Sequence, residues 1–401
     1  MKKKLIGVLL LMVLIASLLA GCRTGEVASE QTENKNSDEE STVGVAMPTK
    51  DLQRWNQDGS NLKAQLEEAG YKVDLQYANN DIAAQIAQIE TMVLAGVDIL
   101  IIAPIDGESL ETPLTLAKEA GIPVIAYDRL IMGTDAVSYY ATFDNYEIGR
   151  KQGQYIEEAL DLANVDTEVF NMEIFAGDPN DNNAYFVYHG AMDVLRKYIH
   201  AGVINIPSGK IDFTEVATPE WSTMKAQQRM ETLLSSANME GIQLDAILCS
   251  NDSIALGVTN ALEAVDASDD IDVSDDIDAI DDTDNLITDD TNSSIADAVE
   301  DSVSKYPVMT GQDCDVENIK NLLLGKQAMD IFKDTRILAK QVVEMVEAIL
   351  NDKEVPVNDT TTYDNGTGVI PTFLCEPVVI TVENYVEILI ESEYYTESNF
   401  H

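Results

Sequence analysis

Histidine is scarce in this chain, with three in 401 residues: His189 and His200 on or near one predicted helix, and His401 at the terminus. None stands at the end of a predicted strand, where a Ser-His-Asp or Cys-His device would need one. Positive charge is thin too, 25 Lys and Arg against 71 Asp and Glu, a formal charge of −46. That excludes nucleic acid as a partner, because binding it takes clustered Lys and Arg to neutralise phosphates. It also excludes adhesion of the protein surface to an anionic membrane. No glycine-rich phosphate loop of the Walker type occurs, and no metal-ligand spacing. The sequence therefore offers no catalytic residues, no metal site and no cofactor, and predicts a protein that is not an enzyme. Cysteine is sparse as well. Beyond Cys22, the odd and widely spaced set Cys249, Cys314 and Cys375 gives no disulfide framework and reads as buried small hydrophobes.

A long apolar run is found at the start. Lys2-Lys3-Lys4 precede Leu5 to Leu18, and Leu19-Ala20-Gly21-Cys22 fits a lipobox cut before the cysteine. The run is too short for a membrane span, which takes about 20 apolar residues. Residues 1–21 are thus expected to be a lipoprotein signal peptide. Cys22, carrying a two-chain lipid, would anchor an extracytoplasmic protein to the cell membrane. Residues 22–42, rich in Glu, Ser, Thr and Asn, read as a flexible tether.

From Thr42 onward, strands and helices alternate. Val43 to Met47, Tyr71 to Tyr77, Val97 to Ala103 and Ile122 to Leu130 read as strands. Polar Thr49 to Asp58 leads into a helix through Glu68. Further helices are stopped by Gly96 and Gly121. A second round of the same length starts after Phe143, with strands at Val169 to Phe175, Val203 to Ile206 and Asp245 to Cys249. The fold class is α/β: two similar lobes, each a parallel sheet with helices on both faces, with a cleft between them. Asp266 to Ser304 stands apart, with fifteen Asp or Glu and no Lys or Arg. It reads as a disordered acidic insert, lacking the central Gly and closing Glu of a calcium loop.

Several strands end in hydrogen-bonding side chains. Asp128-Arg129, Asn251-Asp252 and Gln312-Asp313 each follow an apolar run, and in open α/β sheets ligands bind at the carboxyl ends of strands. Carboxylates with Arg or Asn forks suit vicinal hydroxyls. Trp55 and Trp221, the two tryptophans, sit in expected polar loops and could stack on the C–H patches of a sugar ring.

At these residues the chain resembles the periplasmic monosaccharide receptors of ABC transporters, of the xylose- and glucose-binding type with the type I periplasmic-binding fold. The likeness runs from Val43 to Phe400, apart from the acidic insert. It is carried by Val45-Ala-Met-Pro-Thr with Arg54-Trp55, Val124-Ile-Ala-Tyr-Asp-Arg-Leu, Tyr140-Ala-Thr-Phe-Asp-Asn and Gly177-Asp-Pro-Asn-Asp-Asn-Asn-Ala. Ser250-Asn-Asp, Gly311-Gln-Asp, Phe332-Lys-Asp-Thr and Asn358-Asp-Thr carry it further. The resemblance implies sugar contacts by Arg54, Trp55, Asp128, Arg129, Asp181, Asn183, Trp221, Asn251, Asp313 and Lys333. It implies hinge strands near Phe143, Lys333 and Asn365. The first lobe would then hold 43–143 plus about 333–364, and the second 144–332 plus about 365–401, the insert 266–304 included.

The expected function is capture of a monosaccharide, xylose or another aldopentose or aldohexose such as glucose, and its delivery by a monomer to an ABC permease. The alternative is a sensory receptor that hands its ligand to a chemoreceptor or sensor kinase. A repressor with the same core would need an N-terminal helix-turn-helix where the signal peptide stands. A glycosidase would need a carboxylate pair straddling the bond, whereas the neighbouring Arg and Asn suggest ionised acceptors.

Overall fold

The computed structural model describes residues 40–165, 167–272 and 306–400. The expected signal peptide, Cys22, most of the tether and the acidic stretch after residue 272 lie outside the described residues. Among the described residues no helix is long and apolar enough to cross a membrane.

The first lobe is built on six parallel strands: β1 (Thr42–Met47), β2 (Lys72–Tyr77), β3 (Ile99–Ile102), β4 (Val124–Tyr127), β5 (Val137–Phe143) and β11 (Thr372–Cys375). Their order is β11-β5-β4-β3-β1-β2. The sequences Ile-Leu-Ile-Ile and Val-Ile-Ala-Tyr show why both sheet faces are covered. Alternate residues point to opposite faces, and both sets are apolar. Ile99, Ile101, Ile125 and Tyr127 pack with α1 (Gln53–Glu68) and α9 (Thr335–Leu350). Leu100, Ile102, Val124 and Ala126 pack with α2 (Ile82–Ala95) and α3 (Glu111–Glu119).

The second lobe holds the parallel order β7-β6-β8-β9, from β6 (Phe170–Phe175), β7 (Ile204–Asn205), β8 (Ala246–Cys249) and β9 (Val308–Met309). Its longer helices are α4 (Asn145–Ala159), α5 (Asn182–Ala201), α6 (Thr223–Leu234), α7 (Asp252–Asp272) and α8 (Val316–Leu323). A separate antiparallel pair, β10 (Asp330–Phe332) with β12 (Val378–Ile380), adds a small third sheet. The helices α4 and α5 approach so closely that their contact is made by glycines. A Cβ on Gly149 would stand 1.8 Å from the Val187 carbonyl oxygen, and one on Gly190 2.0 Å from that of Tyr146.

Three sequence expectations need correction. The expected boundary at Asn365 is wrong, because β11 hydrogen-bonds along β5 in the first sheet. Asn365 itself donates to the carbonyls of Ile131 and Thr134, also in the first lobe. The chain therefore leaves that lobe after Cys375. The open edge of β5 decides this, and no local pattern in Thr-Phe-Leu-Cys encodes it. Second, the acidic segment does not begin irregular at Asp266, since α7 continues through Asp272. Third, α1 starts at Gln53 rather than after Asp58, so Trp55 stands in a helix and not in a polar loop.

Candidate functional site

The carboxyl ends of β4, β5, β6, β8 and β9 face one another across the gap between the lobes, and polar residues follow each. The early start of α1 places Arg54 and Asp58 one turn apart on one face, where they pair. Arg54 is 5 % exposed and has three carboxylates around it. Its Nε donates to Asp58, Nη2 to Asp128 Oδ1 at 3.1 Å, and Nη1 to Asp313 Oδ1 at 3.0 Å. Asp313 comes from the second lobe, and the same Oδ1 lies 2.8 Å from Lys333 Nζ on the connection out of β10.

A second bond across the gap joins Arg129 to Asp181, Nε to Oδ2 at 2.8 Å. The contact is an ion pair without hydrogen-bond alignment at Nε, while Nη1 donates to the carbonyls of Pro104 and Ile105. A third bond runs from Asn183 Nδ2 to the Asp128 carbonyl at 2.7 Å, and that carbonyl also accepts from Tyr140 and Thr142. Asp181 caps α5, its Oδ1 accepting from the Asn183 amide, and its Oδ2 accepts from Trp221 Nε1 at 3.2 Å.

Backbone geometry aims these groups. Asp128, Trp221 and Asp313 hold φ of 58°, 51° and 108°, left-handed values that non-glycine residues rarely adopt and that concentrate at functional sites. Trp221 lies flat over Gly177, where a Cβ would come within 2.1 Å of the ring. The Arg129 guanidinium sits 5.1 Å from the Trp55 ring centre.

Burial and charge set the ionisation. Burial pushes the Asp128 carboxyl up, but Lys333, Arg54 and Arg129 together hold it below its ordinary value. Burial raises Asp181 despite Arg129, and takes Asp58 up to about 6 despite Arg54. On the cavity wall Asp315, and behind it Asp330, are each raised to about 7, by burial first, with the neighbouring Asp313 carboxylate adding to both.

All ten residues that the resemblance pointed to line one cavity, with about 480 Å³ of empty space when its open mouth is included. The structure brings them together from both lobes. Trp55 and Trp221 are 4 % and 6 % exposed and also belong to the lobe cores. Core filling and a place on the cavity wall are thus both true of each. Asp252, at a strand tip, turns away from the cavity and accepts from the amides of Gln312 and Asp315. Leu52, Asn145, Ser253, Gln312 and Asp315 line the cavity and were not among the ten. The signal for Asn145 was the same as for its companions, a polar pair after an apolar strand. Asp315 had none, because the left-handed turn at Asp313 and Cys314 that brings it round leaves no trace in periodicity. Among the described residues no group of three His, Cys, Asp or Glu is arranged to hold a metal ion.

Two parallel-sheet lobes, joined by three chain crossings and bonded across a buried polar cavity, define a hinged two-lobe solute receptor. Comparison with known proteins agrees. Residues 43–283 match the periplasmic binding protein domain, and the chain belongs to that family. It is 43% identical over 383 residues to the multiple sugar-binding periplasmic protein SbpA of Azospirillum brasilense, covering 95% of this chain and 98% of that one. It is 41% identical to the multiple sugar-binding periplasmic receptor ChvE of Rhizobium radiobacter, covering 88% and 90%. A crystal structure of an ABC transporter solute-binding protein from Clostridium phytofermentans with bound β-D-glucose is 54% identical. It aligns with TM-score 0.78 over 90% of this chain and all of that one. These relatives are receptors, and the chain is a binding protein and not an enzyme.

Proposed function

We propose that the cavity binds a monosaccharide and that the protein delivers it to an ABC permease. The observation that carries this reading is the company the two indoles keep. Trp55 and Trp221 share one cavity with Asp128, Asp181, Asp313, Arg54, Arg129 and Lys333. Flat apolar faces suit the C–H patches of a pyranose ring, and charged forks suit its neighbouring hydroxyls. Asn183 and Asn251 add neutral donors and acceptors. Because bonds from both lobes converge on this space, ligand and lobe closure are coupled, and an analogue lacking one hydroxyl leaves a buried group unpaired. The glucose bound by the 54% identical relative makes an aldohexose the first ligand to try. The two relatives described as binding multiple sugars support a range of more than one sugar, with D-xylose the pentose to try beside it. We place the protein outside the cytoplasm as a monomer, held to the cell membrane by a lipidated Cys22.

A thermal-shift panel of monosaccharides tests the reading. A ligand that binds only the folded chain raises its apparent Tm by mass action, by about 2.7 kcal/mol of added stability at a hundredfold excess over Kd. D-glucose or D-xylose is expected to do so, and a panel without any shift overturns the proposal. Replacing Cys22→Ser should release the protein from the membrane fraction.

A further inference from the structure

Past the Arg129–Asp181 pair the gap between the lobes opens into a second cavity. It holds about 550 Å³ counting its open mouth, larger than the first measured the same way. Asp106, Glu108 and Met132 wall it on one side, Asn180 and Asn182 on the other, and Arg129 and Asp181 line both cavities. The contact that stands between the cavities, Arg129 Nε to Asp181 Oδ2, is not aligned as a hydrogen bond. The lining offers carboxylate acceptors and amide groups that both donate and accept, the inventory that hydroxyls use. One amide there is poorly matched: Asn182 Nδ2 lies 2.8 Å from Met132 Sδ across the gap, and a thioether is a weak acceptor. A sugar hydroxyl would serve it better. With Asp106 and Glu108 added to Asp181, the charge disfavours a phosphorylated or carboxylated unit.

We propose that this second cavity is a glycosyl subsite, so that the protein takes neutral disaccharides as well as single sugars. One ring would lie in the first cavity and the next beyond the Arg129–Asp181 partition. The inference rests on the monosaccharide reading above, and its test keeps the two apart. Isothermal titration of D-glucose, cellobiose and maltose would be run on the wild-type protein and on Glu108→Trp and Asn182→Trp, whose indoles fill the second cavity. Glu108 is exposed, so its replacement spares the core. At least one disaccharide is expected to bind within about tenfold of D-glucose, and both tryptophan variants should weaken it by about tenfold while holding D-glucose within about twofold. D-glucose binding with neither disaccharide overturns the subsite, as does a disaccharide affinity that both variants leave unchanged. If no monosaccharide binds the wild type, the underlying function fails and the subsite with it.

Discussion

One oxygen, Asp313 Oδ1, serves Arg54 from the first lobe and Lys333 from the inter-lobe connection. Removing that carboxylate leaves two buried cations without it. Asp313→Ala is therefore expected to cost about 2–5 kcal/mol of sugar binding, as truncating one member of a buried charge pair typically does. Arg129→Ala should behave alike, since it strips Asp181 of its cation and Trp55 of its stacked guanidinium. Titration calorimetry with circular dichroism checks both, and unchanged affinity in two folded variants removes these residues from the site. At this scale the sequence was informative wherever a polar pair ended an apolar strand, as at Asp128-Arg129 and Asn251. It was silent on Asp58, whose partnership with Arg54 depends on α1 starting at Gln53. The polar stretch Thr49 to Asp58 has too few apolar positions to announce that helix.

Among the elements, the pairing of α4 with α5 sets the shape of the second lobe beneath the site. Both helices begin with site residues, Asn145 on one and Asn183 on the other. Their close approach needs hydrogen at Gly149 and Gly190. Gly149→Ala should destabilise the protein by about 1–3 kcal/mol through overpacking against backbone, read as a lower denaturation midpoint. If the midpoint holds, the helices can part without loss. The same logic applies locally at Gly177, where alanine would lift the Trp221 ring and weaken sugar binding with little change in midpoint. Strands buried on both faces, such as β3 and β4, were legible because every position is apolar. Membership of β11 was not, since a four-residue apolar strand fits either sheet and only the vacant edge of β5 selects one.

For the whole molecule, buried carboxyls at and behind the cavity wall make stability depend on pH in an unusual sense. Asp58, Asp315 and Asp330 have folded-state values of about 6, 7 and 7, above the 3.8 of an exposed aspartate. Between those values the folded chain holds protons that the unfolded chain has given up, so stability falls as pH rises. Their contribution is present below about pH 4 and is lost on the way to pH 7. Asp128, held low by its cations, works in the opposite direction at more acidic pH. Asp330→Asn should flatten the decline between pH 4 and 7 in urea denaturation, and an undiminished slope would assign it to other groups.

The three passages between lobes, after Phe143, after Phe332 and after Cys375, carry a consequence for synthesis. The first sheet lacks its edge strand β11 until residue 375 has been made, and the helix α9 that seals one of its faces arrives only from Thr335. The first lobe is not a continuous piece of chain, so a nascent polypeptide lacks an edge strand and a face-covering helix of that lobe until its C-terminal part has been made. Termination before Thr372 should leave a chain that protease digests throughout rather than a resistant fragment. A protein whose place of work lies beyond a membrane gains from this wiring. Its first sheet stays incomplete until β11 emerges.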